Sequence, residues 1–153
     1  MSPALLHWED FPAGERVEIG QIEVSRAEIL AFARAYDPQP FHLDEEAARA
    51  SILGGLCASG WHVAALMMRL ICDAYLLRAA ARGEPSMDEM RWMKPVYVDD
   101  RLTLIRTALE TRLDAERPDE GLVQFRHDFV NQNGVTTTSA RHWQRFARRS
   151  MGA

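Results

Sequence analysis

The stretch S-G-W-H-V-A-A-L-M-M-R-L-I-C-D-A-Y-L-L-R-A-A-A-R, Ser59 to Arg82, decides the fold. It is apolar on nearly every helical face, the pattern of a helix enclosed on all sides. Arg69 and Asp73 interrupt it, so no run of about 18 apolar residues remains and a membrane span is not expected. A chain of 153 residues can enclose such a helix only by curling a sheet around it.

That sheet is found downstream. M-R-W-M-K-P-V-Y-V, Met90 to Val98, reads as a strand, with Pro95 pointing to an edge or a bulge. R-L-T-L-I-R-T-A-L-E-T-R-L, Arg101 to Leu113, follows. After the polar turn R-P-D-E-G comes L-V-Q-F-R-H-D-F-V, Leu122 to Val130, and N-Q-N-G turns the chain into V-T-T-T-S-A-R-H-W-Q-R-F. Long antiparallel strands after one buried helix give an α+β class with helices on one side of the sheet. This is the hot-dog fold, an antiparallel sheet wrapped around a long central helix.

Upstream, V-E-I-G-Q-I-E-V, Val17 to Val24, suits a short strand or extended lead-in. S-R-A-E, Ser25 to Glu28, has the form of a capping box, and Ile29, Leu30, Phe32, Ala33 and Tyr36 continue at helical spacing. The helix then meets A-Y-D-P-Q-P-F-H-L-D-E-E-A-A, Ala35 to Ala48, where Pro38 and Pro40 stop it. Asp44 is the expected N-cap of a second short helix, Glu45 to Ala50. The two prolines could serve only to end one helix and start the next. They could also hold Asp37 and His42 in a fixed loop so that both face one small molecule, because each proline fixes its own φ and restricts the residue before it.

Composition bounds the alternatives. With 47% hydrophobic residues, no repeat and no low-complexity run, residues 1–153 read as a single domain with a real core. A formal charge of -4 argues against a nucleic-acid partner. The basic run R-H-W-Q-R-F-A-R-R, Arg141 to Arg149, reads as a solvated last strand with a frayed tail, although an anionic ligand could use it. Cys57 and Cys72 lack CxxC spacing, and His7, His42, His62, His127 and His142 lack ligand spacing, so no metal is expected. His62 reads as structural, and His127 and His142 as a satisfied pair across the last hairpin or as solvated faces. The N-terminus M-S-P-A-L-L-H-W-E-D has neither a charged region nor an apolar run for export, so a cytoplasmic chain is expected.

D-P-Q-P-F-H, Asp37 to His42, resembles the D-x-N-P-x-H signature of the MaoC-like, or (R)-specific enoyl-CoA hydratase, family of hot-dog proteins. The family starts its central helix with a glycine eighteen residues after the signature histidine, and Gly60 stands there in C-A-S-G-W. R-W-M-K-P-V also matches the W/F-x-K-P-V-like segment that follows the helix. The resemblance spans roughly Ser25 to the last strand. It implies hydration, or the reverse dehydration, of an acyl-CoA or similar pantetheine thioester. It also implies at least a homodimer with an acyl tunnel near the interface, and no cofactor beyond the coenzyme A carried by the substrate.

The chemistry fits these residue types. Adding water across an α,β-unsaturated thioester needs a base for a water proton, an acid for the α-carbon and a donor for the enolate-like oxygen. Asp37 and His42 can supply the first two, with Pro38, Gln39 and Pro40 as loop support. Gly60 follows a plausible N-cap, Ser59, so its N–H is an unpaired donor at the start of a long helix, and the missing side chain would let the thioester oxygen approach. Three positions depart from the family: Gln39 where Asn is usual, Ser59 where His is usual, and Met68 where the central helix often has Ser. They keep open a non-catalytic subunit that binds an acyl thioester; a second alternative is a hot-dog thioesterase using Asp37 or another carboxylate to direct water at the carbonyl.

Overall fold

The computed structural model describes residues 4–150; Met1, Ser2 and Pro3 of the N-terminal run quoted above lie outside them. Its centre is a five-stranded antiparallel sheet built from β1 (Arg16–Glu23), β2 (Ala81–Trp92), β3 (Arg101–Leu113), β4 (Glu120–Val130) and β5 (Thr136–Ala147). The spatial order is β1-β3-β4-β5-β2, so β1 and β2 are the two edges. Helices α1 (Arg26–Tyr36), α2 (Glu45–Ala50) and α3 (Gly60–Ala74) all come from the segment between β1 and β2. β3, β4 and β5 alternate buried and exposed residues, the period of a sheet with one face on a core. Phe125, Phe129, Phe146, Leu102 and Leu104 from those strands pack with Val63, Met67 and Ile71 of α3. This is the hot-dog architecture expected of the sequence.

Local chemistry sets the helix ends. The Ser25 hydroxyl accepts the Glu28 N–H at 3.2 Å and donates to the Glu28 carboxylate at 3.0 Å, so the box closes side chain to side chain. The Asp44 carboxylate accepts the Ala47 N–H at 2.7 Å and starts α2 where expected.

Three expectations need correction. The central helix ends at Ala74, not near Arg82: a 3-10 turn, Leu76–Arg78, follows, and the chain then enters β2. β2 was hidden because R-G-E-P-S-M-D-E has no apolar alternation; as an edge strand exposed along most of its length it needs none. Its ladder with β5 shifts register three times, and Gly83 takes a φ of 108° there. Second, α3 is not enclosed on all sides: His62, Val63, Met67 and Ile71 are buried, whereas Trp61 is 63% and Met68 40% exposed. One sheet covers one face of a helix. Third, Met90–Val98 is not one strand. β2 stops at Trp92, where the N–H groups of Met93 and Lys94 both turn to the Thr137 carbonyl (2.8 and 3.1 Å), and Pro95 has no N–H with which to continue the ladder.

The stretch Gly60–Arg78 is long and apolar enough to cross a membrane by length and composition alone; in the fold it contains the core helix and the turn after it. The basic run at the end of β5 is tied down as far as Arg149: Arg145 pairs with Asp114 and Glu120, Arg148 with Glu9, and Arg149 with Asp10. Its charge is thus locally neutralised. The two late histidines do pair, His142 Nε2 lying 3.0 Å from His127 Nδ1, and His127 Nε2 meets the Tyr75 hydroxyl at 3.3 Å. His62 is buried and stacks on Phe32, in keeping with a structural role.

Candidate active site

The two prolines end one helix, start the next turn and set the loop that carries Asp37 and His42. Pro38 ends α1, leaving Asp37 as its C-cap with its N–H still on the Ala33 carbonyl at 3.0 Å. Pro40 then begins a 3-10 turn, Pro40–His42, with Gln39 held extended before it at φ -71°, ψ 140°. The turn brings His42 back over the end of α1, where its Nε2 lies 3.5 Å from Asp37 Oδ2. The two side chains are only 8% and 16% exposed.

Each member of the pair is fixed from its other side. His42 Nδ1 is 2.8 Å from the Cys57 carbonyl, and because a carbonyl only accepts, Nδ1 must carry the proton. A neutral His42 therefore presents an unprotonated Nε2 to Asp37. The Gln39 amide donates to Asp37 Oδ1 at 2.7 Å. Partial burial pushes the Asp37 pKa up, but hydrogen bonds from Ser59 and Gln39 and the nearby His42 outweigh it, and the carboxyl is held below its ordinary value. Asp37 is thus an anion at neutral pH.

Ser59 caps α3, its fully buried hydroxyl accepting the Trp61 N–H at 3.3 Å. Gly60 is the first helical residue, so its N–H has no partner within the helix. The chain before it is clamped to the K-P-V segment, with Ala58 N–H on the Val96 carbonyl at 2.8 Å and Cys57 bridged to Tyr97. Burial pushes the Cys57 thiol up to about 11, which leaves it inert.

His42 and Gly60 share the wall of an open cleft of about 620 Å³, within the range of small-molecule sites. Phe41, Ile52, Leu53, Val63, Trp92 and Val96 make it largely apolar. Asp37 meets the cleft through His42 and is not itself on the wall. Pro38, Gln39, Pro40 and Met68 are not among the residues that line the cleft.

Two contributors escaped sequence reasoning. One is the Cys57 carbonyl, a backbone group without a sequence signal. The other is Trp92, whose indole N–H donates to the Gly60 carbonyl at 2.8 Å and whose ring lies against the Gly60 α-carbon. A β-carbon on Gly60 would come within 2.7 to 2.9 Å of three indole atoms. The glycine is needed to seat this tryptophan, a reason different from the expected approach of substrate. Among the described residues, no group of three or more His, Cys, Asp and Glu side chains could hold a metal ion.

The start of α3 and the His42 loop thus share one cleft on a hot-dog sheet. Residues 10–121 match the family model of the MaoC like domain, and the chain belongs to this MaoC-like hydratase/dehydratase family. A MaoC-like dehydratase from Rhodospirillum rubrum is 39% identical, with a TM-score of 0.89 over 95% of this chain and 99% of its own. The (R)-hydratase of A. caviae involved in PHA biosynthesis has a TM-score of 0.68 at 19% identity, over 89% and 97% of the two chains, a likeness of fold. The uncharacterised protein YdeM of Bacillus subtilis (strain 168) is 29% identical over 127 residues, 83% of this chain and 89% of YdeM.

Proposed function

We propose that this protein is a hydro-lyase that adds water to, or removes it from, the C2–C3 bond of an acyl-CoA or similar pantetheine thioester. The observation behind this reading is the Asp37–His42 contact, 3.5 Å between Oδ2 and Nε2 with each residue fixed from its other side, beside a cleft that His42 shares with Gly60. One water held by both groups would be aimed at C3. As its oxygen forms the C3–O bond, its proton passes to the Asp37–His42 pair. The π electrons move toward the thioester carbonyl, whose oxygen gains negative charge. The Gly60 N–H, at the positive end of α3, stabilises that oxygen, a contribution of roughly 3 kcal/mol for such a donor. The pair then returns the proton to C2, so water is consumed and no other reactant is needed. The fixed loop lowers the cost of bringing these groups together.

Purified protein incubated with a short-chain trans-2-enoyl-CoA should consume the conjugated thioester absorbance without releasing free thiol. Asp37→Asn, which keeps the shape and removes the base, should lower the rate by about 10²- to 10⁴-fold. Thiol release in step with absorbance loss would instead mean thioesterase, and neither signal on several chain lengths would mean a binding subunit. We also propose at least a homodimer, acting in the cytoplasm. Trp61, Met68, Met87 and Trp92, all exposed on α3 and the edge strand β2, support an apolar contact surface there. Light scattering on the eluting protein should give a mass of at least twice the 17.4 kDa chain; a monomer would refute it.

A further inference from the structure

Of the 18 basic residues in the chain, Lys94 is the only lysine. It is also the only lysine or arginine lining the candidate cleft, and no aspartate or glutamate lines it. Among the described residues Lys94 makes no ion pair, whereas most of the arginines have carboxylate partners or lie over aromatic rings. Among the described residues the cleft wall thus carries one ammonium group and no carboxylate, Asp37 meeting it only through His42.

The backbone under Lys94 is set, not loose. Its N–H bonds the Thr137 carbonyl at 3.1 Å beside that of Met93 at 2.8 Å, and Pro95 restricts Lys94 to extended backbone. Two residues on, the Val96 carbonyl accepts the Ala58 N–H, which ties the same segment to the start of α3. A lysine here offers a compact, strongly hydrated charge on a flexible four-carbon stem, able to follow an anion at the cleft mouth.

Resting on the reading of the cleft as an acyl-thioester site, we infer that Lys94 is a specificity residue that recognises an anionic group on the substrate. The group is either a phosphate of the coenzyme A portion or a free carboxylate on the acyl portion; both present oxygens to an ammonium ion. Lys94 takes no part in moving protons, so its contribution is read in binding.

Calorimetric binding of three ligands to the wild-type protein, Lys94→Met and Lys94→Arg tests this. The ligands are crotonyl-CoA, which bears phosphates; crotonyl-pantetheine, which bears no anion; and succinyl-pantetheine, which bears only a carboxylate. We expect Lys94→Met to weaken at least one anionic ligand about tenfold, the scale of a charge-assisted hydrogen bond, and to leave crotonyl-pantetheine unaffected. Loss on crotonyl-CoA alone identifies the phosphate, and loss on succinyl-pantetheine alone identifies the carboxylate. Lys94→Arg should recover part of the affinity, and the difference between wild type and Lys94→Met should shrink as salt is raised. Equal loss on all three ligands, no loss on any, or no binding by the wild type overturns the inference. Lys94-dependent binding without hydration of any enoyl thioester would leave the inference standing and refute hydro-lyase activity.

Discussion

Replacing Gly60 by alanine, alone and together with Trp92→Leu, asks why a glycine opens α3. An alanine methyl would meet the Trp92 indole at 2.7 to 2.9 Å, where non-bonded carbon contacts favour about 3.5 to 4.0 Å. The ring must therefore move by about 1 Å, which breaks its 2.8 Å hydrogen bond to the Gly60 carbonyl. The lost bond costs about 1 kcal/mol of stability. A displacement of this size beside the N–H proposed to bind the thioester oxygen should lower kcat on an enoyl-CoA about 100-fold. In the Trp92→Leu background the ring is gone and the methyl has room, so alanine should cost no more than about twofold there, the limit expected of uncoupled sites. Steady-state kinetics on the four proteins of the cycle, with urea denaturation of each, provide both readouts. An alanine penalty of the same size in both backgrounds would refute the reasoning, because glycine would then be required by the substrate and not by Trp92.

Two further outcomes concern protons. Gln39→Leu removes the 2.7 Å hydrogen bond to Asp37 Oδ1, one of the contacts that lower the Asp37 pKa, so the acid limb of kcat/KM against pH should move to higher pH; an unmoved limb would separate Gln39 from the titration of Asp37. Burial holds His142 at about 4 against an ordinary 6.5, so the unfolded chain takes up the proton first and stability is lost as pH falls from about 6.5 to 4, by about 3 kcal/mol over the whole window. His127 and His62, also lowered by burial, act in the same direction, while Glu84, raised by burial, opposes them. Urea midpoints at pH 7.5 and 5.5 should fall less in His142→Gln than in the wild type; equal falls would count against the buried histidine as the cause.

What the sequence made legible was short-range. Ser25 and Asp44 cap the helices they precede because capping is settled within three residues. Asp37 and His42 could be placed together because two prolines leave the four residues between them little freedom. What stayed hidden was decided across the fold. β2 is a strand because β5 offers it a ladder, and nothing in R-G-E-P-S-M-D-E announces that. Trp92 lies 32 residues from the glycine whose carbonyl it binds. Lys94 did leave a compositional trace as the single lysine among many arginines, but its place on the cleft required the loop after β2 to be seen leaving the sheet.

The departures from the family signature turn out to converge on one carboxylate. Gln39, a methylene longer than the usual asparagine, spans the turn and places its amide on Asp37 Oδ1. Ser59, where histidine is usual, helps hold the pKa of the same carboxyl down and also caps α3. Met68 brings no hydroxyl, but the Gln39 amide from the loop already donates to Asp37, and Ser59 at the start of the helix also lowers its pKa. A carboxylate fixed in this way stays ionised and keeps Oδ2 directed at His42 Nε2, which is what a shared water would require. The substitutions that argued for a silent binding subunit therefore leave Asp37 ionised and held beside His42, as the proposed hydration requires.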